Sequence, residues 1–216
     1  MKFLVLNGSL TPPEESNTQR VVDRVITEFS NHNVVVDEIV LRDLNFEPGV
    51  DRVRRDGVAD DMTWVLKEIL KYDGIIFATP IWWGTYSSYI QALMERMGYI
   101  DDWGIKNNFN PHYGKTFGII VSGSDDGWQQ TAAKAFGFAS YLGFTVPPDA
   151  FVSAVDDGMD IKSRKDPDEV IKVFVRNQMF WANAMIKTQV GLTSQATNTA
   201  TRTGYTSAPS FRKESP

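Results

Sequence analysis

The sequence contains no cysteine and only two histidines among its 216 residues. The absence of thiols excludes disulfide bonds, thiolate catalysis and cysteine-ligated zinc or iron–sulfur centres. His32 lies in a polar turn and His112 in a loop that contains Asn and Pro, so we predict that both are surface residues rather than ligands or bases. A histidine-centred hydrolase is therefore disfavoured, and redox chemistry in this chain requires a bound cofactor.

Long apolar runs and an excess of positive charge are also missing. No hydrophobic stretch approaches the roughly 18 residues that span a bilayer, and the N-terminus turns polar too soon for a signal peptide. The formal net charge of −5 provides no general attraction to nucleic acid or to an anionic membrane. We therefore expect a cytoplasmic protein with no membrane span and no nucleic-acid partner.

Short apolar runs alternate with segments of helical periodicity along most of the chain. The predicted strands are residues 3–6, 34–41, 74–78, 116–121 and 150–155, and the predicted helices are about 17–29, 60–72, 88–97, 127–142 and 167–186. The strands are almost continuously apolar, which is typical of a parallel sheet covered by helices on both faces. In such α/β folds the ligand binds beyond the carboxyl ends of the strands.

The segments outside these elements complete the predicted organisation. Residues 98–115 read as a long polar loop, and Asp166 as the N-cap of a helix whose first residue is Pro167. From residue 189 the chain is rich in Ser, Thr and Asn and has no periodicity. We predict one domain over residues 1–188 and a flexible tail over 189–216.

The first loop at the carboxyl edge is NGSLTPPEESNT, residues 7–18. Gly8 allows a tight turn, and Ser9, Thr11, Ser16 and Thr18 supply hydroxyl groups. Asn17 and Thr18 begin the helix, where free amides and the helix dipole favour a phosphate. The loop has no lysine and no GxGxxG, so it is neither a Walker-type P-loop nor a dinucleotide-binding turn; the alternative is an ordinary helix cap.

NGSL followed by SNT resembles the phosphate loop of the NADPH-dependent FMN reductases and their quinone-reductase and iron–sulfur-flavoprotein relatives. The resemblance implies that this loop binds the phosphate of FMN. Many members carry an arginine soon after the Gly-Ser pair, where this chain has Leu10-Thr11-Pro12-Pro13. The phosphate charge would then be met by the helix dipole and hydroxyl groups, or by Arg20.

The second loop lies in YDGIIFATPIWWGTYSSYIQALMERM, residues 72–97, which resembles the third strand, flavin loop and third helix of the same family. A flavin ring requires an aromatic surface for its face and backbone groups for its edge. The segment Pro80, Ile81, Trp82, Trp83 and Gly84 supplies both. Family members usually have tyrosine at the position of Trp82, and lysine and aspartate at those of Gln91 and Glu95, whereas Arg96 matches. The alternative is that the two tryptophans fill the core.

The third loop, SGSDDGWQQ at residues 122–130, resembles the family's third flavin-contacting loop through Ser122, Gly123 and Ser124. Asp125 and Asp126 form a paired carboxylate, but we interpret them as capping the next helix. Arg52, Arg54 and Arg55 lie in a charged segment that most simply reads as a solvated loop. A sharper interpretation is that they meet the phosphates of NADPH.

The resemblance covers about residues 2–186 and implies a flavodoxin-like three-layer α/β/α fold with strand order 2-1-3-4-5. It also implies an FMN-dependent oxidoreductase that uses NADPH or NADH to reduce a small-molecule acceptor such as a quinone, flavin or azo compound. No catalytic side chain and no metal are predicted, because transfer between nicotinamide and flavin needs no acid, base or nucleophile. Two alternatives remain open: a flavodoxin-like electron carrier without NAD(P)H turnover, and a chain that has kept the fold but lost the cofactor.

Family members form dimers or tetramers through the third and fourth helices, so the resemblance implies a homodimer or homotetramer. Four residues that could be buried at such an interface are Met94, Met97, Tyr99 and Trp103.

Overall fold

The computed structural model describes residues 1–49, 60–106, 110–123, 127–155 and 167–195. Its strands are β1 (Lys2–Asn7), β2 (Val35–Val40), β3 (Gly74–Pro80), β4 (Thr116–Gly123) and β5 (Phe151–Val155). Its α-helices are α1 (Asn17–Asn31), α2 (Met62–Ile69), α3 (Ser88–Lys106), α4 (Trp128–Tyr141) and α5 (Pro167–Gln195). Helices and strands alternate as the periodicity of the sequence predicts.

The five strands form one parallel sheet in the order β2-β1-β3-β4-β5. This confirms the predicted flavodoxin-like fold and strand order. The order reverses between β1 and β3, so the chain leaves these two neighbouring strands toward opposite faces of the sheet. That reversal opens a crevice beyond their carboxyl ends, where open α/β sheets bind ligands.

Each face of the sheet has its own hydrophobic core, which explains why the central strands β1, β3 and β4 are buried along almost their whole length. One core lies under α2, α3 and α4, and within it Phe77 and Phe117 meet edge to face with ring centroids 4.9 Å apart. The other lies under α1 and α5, where Phe3 and Phe29 are 4.6 Å apart. Residues buried on both faces hold the sheet rigid, so the loops at its edge start from fixed positions.

Two helices are longer than predicted. Helix α3 continues to Lys106, so the first part of the predicted loop at 98–115 is helical. Ile100 and Gly104 are buried and extend the helical spacing of Leu93 and Met97 beyond Gly98. Helix α5 continues to Gln195, which places the first residues of the predicted tail in a helix.

The beginning of α5 agrees with the sequence, since Pro167 is its first residue. The predicted N-cap Asp166 and the remainder of the predicted tail, residues 196–216, lie outside the described residues. Among the helices that are described, none is long and apolar enough to cross a membrane.

The two histidines differ in their surroundings. His32 caps the C-terminus of α1 and is exposed, as predicted. The prediction for His112 is wrong, because this residue is only 1% exposed and its ring packs 4.4 Å from that of Phe144. Asn110 explains the inward turn: its Oδ1 accepts hydrogen bonds from the amides of His112 and Tyr113, which folds the segment back under β4.

Candidate functional site

The first loop leaves β1 at the sheet's topological reversal. The Gly8 amide donates to the Ala78 carbonyl of β3 at 2.8 Å, which continues the pairing of the two strands by one residue. A Cβ on Gly8 would lie 2.6 Å from Ile90 Cγ1 and 2.8 Å from Ser87 Oγ. Glycine is therefore required where the first loop passes the beginning of α3.

The beginning of α1 carries a group of hydrogen-bond donors. Ser16 is the N-cap, and its Oγ accepts from the Gln19 amide at 3.0 Å while it also contacts Ser9 Oγ at 2.7 Å. The Arg20 amide bonds the Ser16 carbonyl, so within the described residues the Asn17 and Thr18 amides find no acceptor. Two such amides at the positive end of a helix dipole are an arrangement that favours an anion.

The second loop is a tight turn after β3. Thr79 Oγ1 accepts from the Ser87 amide at 2.9 Å and so closes the base of the loop. At its tip Trp82 and Thr85 exchange two backbone hydrogen bonds, of 2.8 Å and 3.2 Å. The two central residues, Trp83 and Gly84, have φ angles of +53° and +69°. Positive φ at both central positions is typical of a type I′ turn.

The two tryptophans of this turn face solvent. Trp82 is 59% exposed and Trp83 is 91% exposed, which excludes the alternative that they fill the core. Trp83 also occupies a left-handed backbone conformation that is costly for a bulky side chain. Because the Trp83 side chain is almost fully exposed, burial of its ring does not offset this cost. The turn therefore presents an aromatic surface at the expense of stability.

The third loop touches both of the others. The Ser122 carbonyl accepts from the Ile81 amide at 2.6 Å, and Ser122 Oγ lies 2.7 Å from Thr18 Oγ1, a contact between residues 104 positions apart. A Cβ on Gly127 would lie 2.6 Å from the Cα of Gly84. The three loops predicted from the sequence therefore meet at one edge of the sheet.

The predicted site residues occupy different depths of this edge. Ser9, Ser16, Thr18, Ile81 and Ser122 are buried; Pro80, Gly84 and Gly123 are half-buried; and Thr11, Asn17, Trp82 and Trp83 are exposed. Ser124 lies outside the described residues, as do Asp125, Asp126, Arg52, Arg54 and Arg55.

A partly buried polar network behind the first loop was not predicted from the sequence. Asn7 Nδ2 donates to Gln19 Oε1 at 2.9 Å and to Glu38 Oε1 at 2.8 Å, and Gln19 Nε2 donates to Glu38 Oε2 at 3.0 Å. The side-chain oxygen of Asn7, Oδ1, accepts a hydrogen bond from the Ser9 backbone amide at 2.9 Å. A polar residue at the end of an apolar strand was the one available signal.

The charged side chains near the first loop determine how the negative charge of a bound anion would be neutralised. Arg20 is exposed, and its Nη1 donates to Asn17 Oδ1 at 3.1 Å, so its guanidinium lies beside the first turn of α1. Glu14 and Glu15 form a short 3₁₀ helix in the same loop. The donor set of hydroxyl groups, amides and one adjacent guanidinium fits a phosphate monoester, and the exposed tryptophans fit a planar ring, so the residues present fit FMN.

Positions of α3 where the chain departs from the family pattern have structural partners. Gln91 Nε2 donates to Glu95 Oε1 at 2.7 Å, while Glu95 Oε2 accepts the Gly49 amide at 3.1 Å. The matching residue, Arg96, is buried and paired with Asp60 at 2.6 Å. These side chains tie α3 to the segments before α2.

The structure corrects one of the four residues predicted for an oligomer interface. Met97 is fully buried in the chain's own core and cannot contact a second copy. Met94, Tyr99 and Trp103 are half-buried on α3. Met97 is buried because it lies on the same face of α3 as Ile90 and Leu93, which pack into the core.

Comparison with known proteins agrees with this geometry. One relative is the 8-demethyl-8-aminoriboflavin-5'-phosphate synthase of Streptomyces davaonensis, 25% identical over 161 residues, which are 69% of this chain and 62% of that protein. An iron-sulfur flavoprotein of Methanocaldococcus jannaschii is 29% identical over 101 residues, 44% of this chain and 51% of that protein. The chain thus spans less than two thirds of the length of either relative.

Solved structures share the fold. The structure of RosB with the bound intermediate 8-demethyl-8-formylriboflavin-5'-phosphate matches with a TM-score of 0.75 and 20% identity, covering 100% of this chain and 98% of that one. The family model described as NADPH-dependent FMN reductase matches residues 1–157, which include all five strands and the three loops. The chain belongs to the NADPH-dependent FMN reductase family.

Proposed function

We propose that this protein is an FMN-dependent oxidoreductase that takes electrons from NADPH or NADH and passes them to a quinone, flavin, azo compound or similar small acceptor. The observation that carries the proposal is the meeting of the three loops. Thr18 contacts Ser122, Ile81 bonds to Ser122, and Gly84 lies close to Gly127. The proximity of the free amides of α1 to the exposed aromatic turn supports the proposal.

The first loop would hold the phosphate end of the cofactor. The Asn17 and Thr18 amides at the start of α1 would donate to the phosphate oxygens, joined by hydroxyl groups of Ser9, Thr11, Ser16 and Thr18. Hydroxyl groups can rotate, so Ser9 and Ser16 can keep their mutual hydrogen bond and still turn a proton or a lone pair toward a ligand. Arg20 would supply the nearby positive charge.

The second and third loops would hold the ring. Residues 80–84 would offer backbone groups to its edge, and the tryptophans a surface for stacking on its face or on the substrate. Ser122, Gly123 and Ser124 would border the ring from β4. Bound FMN supplies the redox chemistry, and the side chains orient the two reactants and exclude water.

The direct test is anaerobic mixing of the FMN-loaded protein with NADPH and, separately, NADH. We expect the flavin absorption to bleach and to return when a quinone or azo acceptor is added. Retention of FMN without bleaching by either nucleotide would contradict NAD(P)H turnover and would favour the electron-carrier alternative. A chain that retains no FMN would contradict both.

A second candidate function follows from the relatives whose names describe modified riboflavin phosphates. Here the flavin phosphate would be the substrate, and the same loops would bind it. Mass spectrometry of the flavin recovered after turnover distinguishes the two functions. An unchanged FMN mass supports the reductase, and a changed mass supports flavin modification.

We expect Trp83→Asn to stabilise the fold and to weaken the site. Asn tolerates left-handed φ, and Asn-Gly is the preferred type I′ pair, so the free energy of unfolding should rise by about 0.5–1 kcal/mol. Loss of the aromatic surface should reduce flavin affinity or acceptor turnover by about tenfold. Chemical denaturation and flavin fluorescence titration measure the two effects.

The matched control is Tyr141→Asn, which removes an exposed aromatic side chain at the end of α4, the opposite end from the loops. Its flavin affinity and turnover should equal those of the wild type. A Trp83→Asn variant with unchanged flavin binding and turnover would show that the exposed tryptophan does not serve the site.

We propose a homodimer or homotetramer as the functional state, in line with the family. Met94, Tyr99 and Trp103 on α3 are the candidates for the interface, since each is half-buried in the isolated chain. Light scattering at micromolar concentration tests this, and a monomer would contradict it.

A further inference from the structure

In the network behind the first loop, every side-chain amide proton of Asn7 and Gln19 is hydrogen-bonded. Asn7 Nδ2 donates its two hydrogens to Gln19 Oε1 and Glu38 Oε1, and Gln19 Nε2 donates its two to Glu38 Oε2 and Asp23 Oδ1. Asn7 is fully buried and Gln19 nearly so. The carboxylate of Glu38 therefore accepts one hydrogen bond on each oxygen from the two carboxamides.

This arrangement fixes the orientation of Asn7. An ionised carboxylate can only accept hydrogen bonds, so Asn7 must turn its nitrogen toward Glu38 and its oxygen away from it. That oxygen accepts the Ser9 amide at 2.9 Å. In the flipped orientation the side-chain oxygen of Asn7 would face the Glu38 carboxylate, and its nitrogen would face the Ser9 amide. Both contacts would leave buried polar groups without a hydrogen bond, which is costly.

The Ser9 amide is the point where the network meets the loop. Ser9 Oγ contacts Ser16 Oγ at 2.7 Å and accepts the Thr11 amide at 3.3 Å. Ser16 in turn caps α1 in front of the free amides. The position of Ser9 thus sets the path of the loop across the anion site.

We propose that Glu38 is a positioning residue for the phosphate monoester of the flavin, acting from β2 through Asn7 and Ser9. The inference rests on the proposed function, in that the ligand is a flavin phosphate. It adds a role for a carboxylate that lies behind the loop, bonded to Asn7 and Gln19, and whose negative charge, taken alone, would oppose phosphate binding.

Charge and positioning predict opposite results for the loss of Glu38. If the carboxylate acted only through its charge, its removal would strengthen phosphate binding, because like charges repel. If it positions the loop, its removal weakens phosphate binding. Glu38→Gln preserves the shape of the side chain but lets an amide nitrogen face Asn7, which permits the flipped state.

Asp23→Asn is the matched control. It removes the same charge from the outer end of the network, while its remaining carbonyl oxygen can still accept from Gln19 Nε2. We expect Glu38→Gln to raise the Kd for FMN by about tenfold and to leave that for riboflavin, which lacks the phosphate, unchanged. Asp23→Asn should bind FMN as well as the wild type or better.

A second readout needs no flavin. In the unliganded protein, hydrogen exchange of the Ser9 amide should be about tenfold faster in Glu38→Gln and unchanged in Asp23→Asn. Glu38→Ala, which removes the acceptor entirely, should move in the same direction as Glu38→Gln. Thermal melts of all three variants verify that they are folded.

The outcomes separate the two proposals. A wild type that does not prefer FMN to riboflavin contradicts the proposed ligand, while Ser9 exchange still decides whether Glu38 positions the loop. An unchanged FMN-to-riboflavin preference in Glu38→Gln, or unchanged Ser9 exchange, overturns the positioning role. Tighter FMN binding in both charge-removing variants would show that Glu38 acts only through its charge.

Discussion

Replacing Gly127 with alanine should weaken FMN binding by at least about tenfold. Gly127 has a φ of +84°, a conformation that costs other residues about 1–2 kcal/mol. A Cβ there would also lie 2.6 Å from the Cα of Gly84, a backbone atom that cannot rotate away. The alanine must therefore push the Trp82–Thr85 turn away from the end of β4.

Gly137→Ala provides the control within the same helix. Gly137 lies in α4, and a Cβ there meets nothing within 4 Å. Because alanine favours a helix more than glycine does, this variant should be as stable as the wild type or more stable, with unchanged FMN affinity. Flavin fluorescence titration measures the FMN affinity of Gly127→Ala and of Gly137→Ala. Equal affinity in the two variants would show that contact between the second and third loops does not shape the site.

Acid should destabilise the protein through His112, and His112→Phe should remove much of this effect. Burial, and secondarily the charge of Lys115, lower the pKa of His112 from 6.5 to about 3. The unfolded chain therefore binds a proton that the folded chain rejects between these two values. The contribution of neutral His112 to the free energy of unfolding is therefore complete above pH 6.5. It is lost as the pH falls toward 3, at about 1.4 kcal/mol per pH unit.

The measurement is the free energy of unfolding by denaturant at several pH values between 7 and the onset of acid unfolding. His112→Phe keeps an aromatic ring against Phe144 but carries no titratable group, so its stability should fall less steeply with acid. His32→Gln, which replaces the other histidine of the sequence, an exposed one, is the control variant. Parallel slopes for His112→Phe and the wild type would contradict the buried, neutral state of His112.

The sheet could be predicted from the sequence because its central strands are buried on both faces. Segments such as GIIFA have no polar position to obscure the pattern, and the loops that follow them carry recognisable turn residues. The end of α3 could not be placed, because from residue 98 onward the segment contains two glycines and two adjacent aspartates, and its buried stripe is reduced to Ile100 and Gly104. Periodicity needs more apolar positions than these two.

The side-chain contacts of the site were beyond prediction for a different reason. Thr18 meets Ser122, Asn7 meets Glu38 and Gly84 meets Gly127 only after the sheet has brought distant segments together. Nothing local distinguishes Glu38 from a solvated strand residue, or His112 from a loop histidine. Their roles depend on burial and on partners distant in the chain, which the local sequence does not reveal.

We expect the three loops together to bind FMN through both its phosphate and its ring. Titration of the unliganded protein with FMN, riboflavin and inorganic phosphate, followed by flavin fluorescence with phosphate as competitor, tests it most directly. We expect FMN to bind at least about tenfold more tightly than riboflavin, and phosphate to displace FMN while leaving bound riboflavin in place. Equal affinity for FMN and riboflavin, or no binding of either, would contradict the binding of FMN by these loops through its phosphate and its ring.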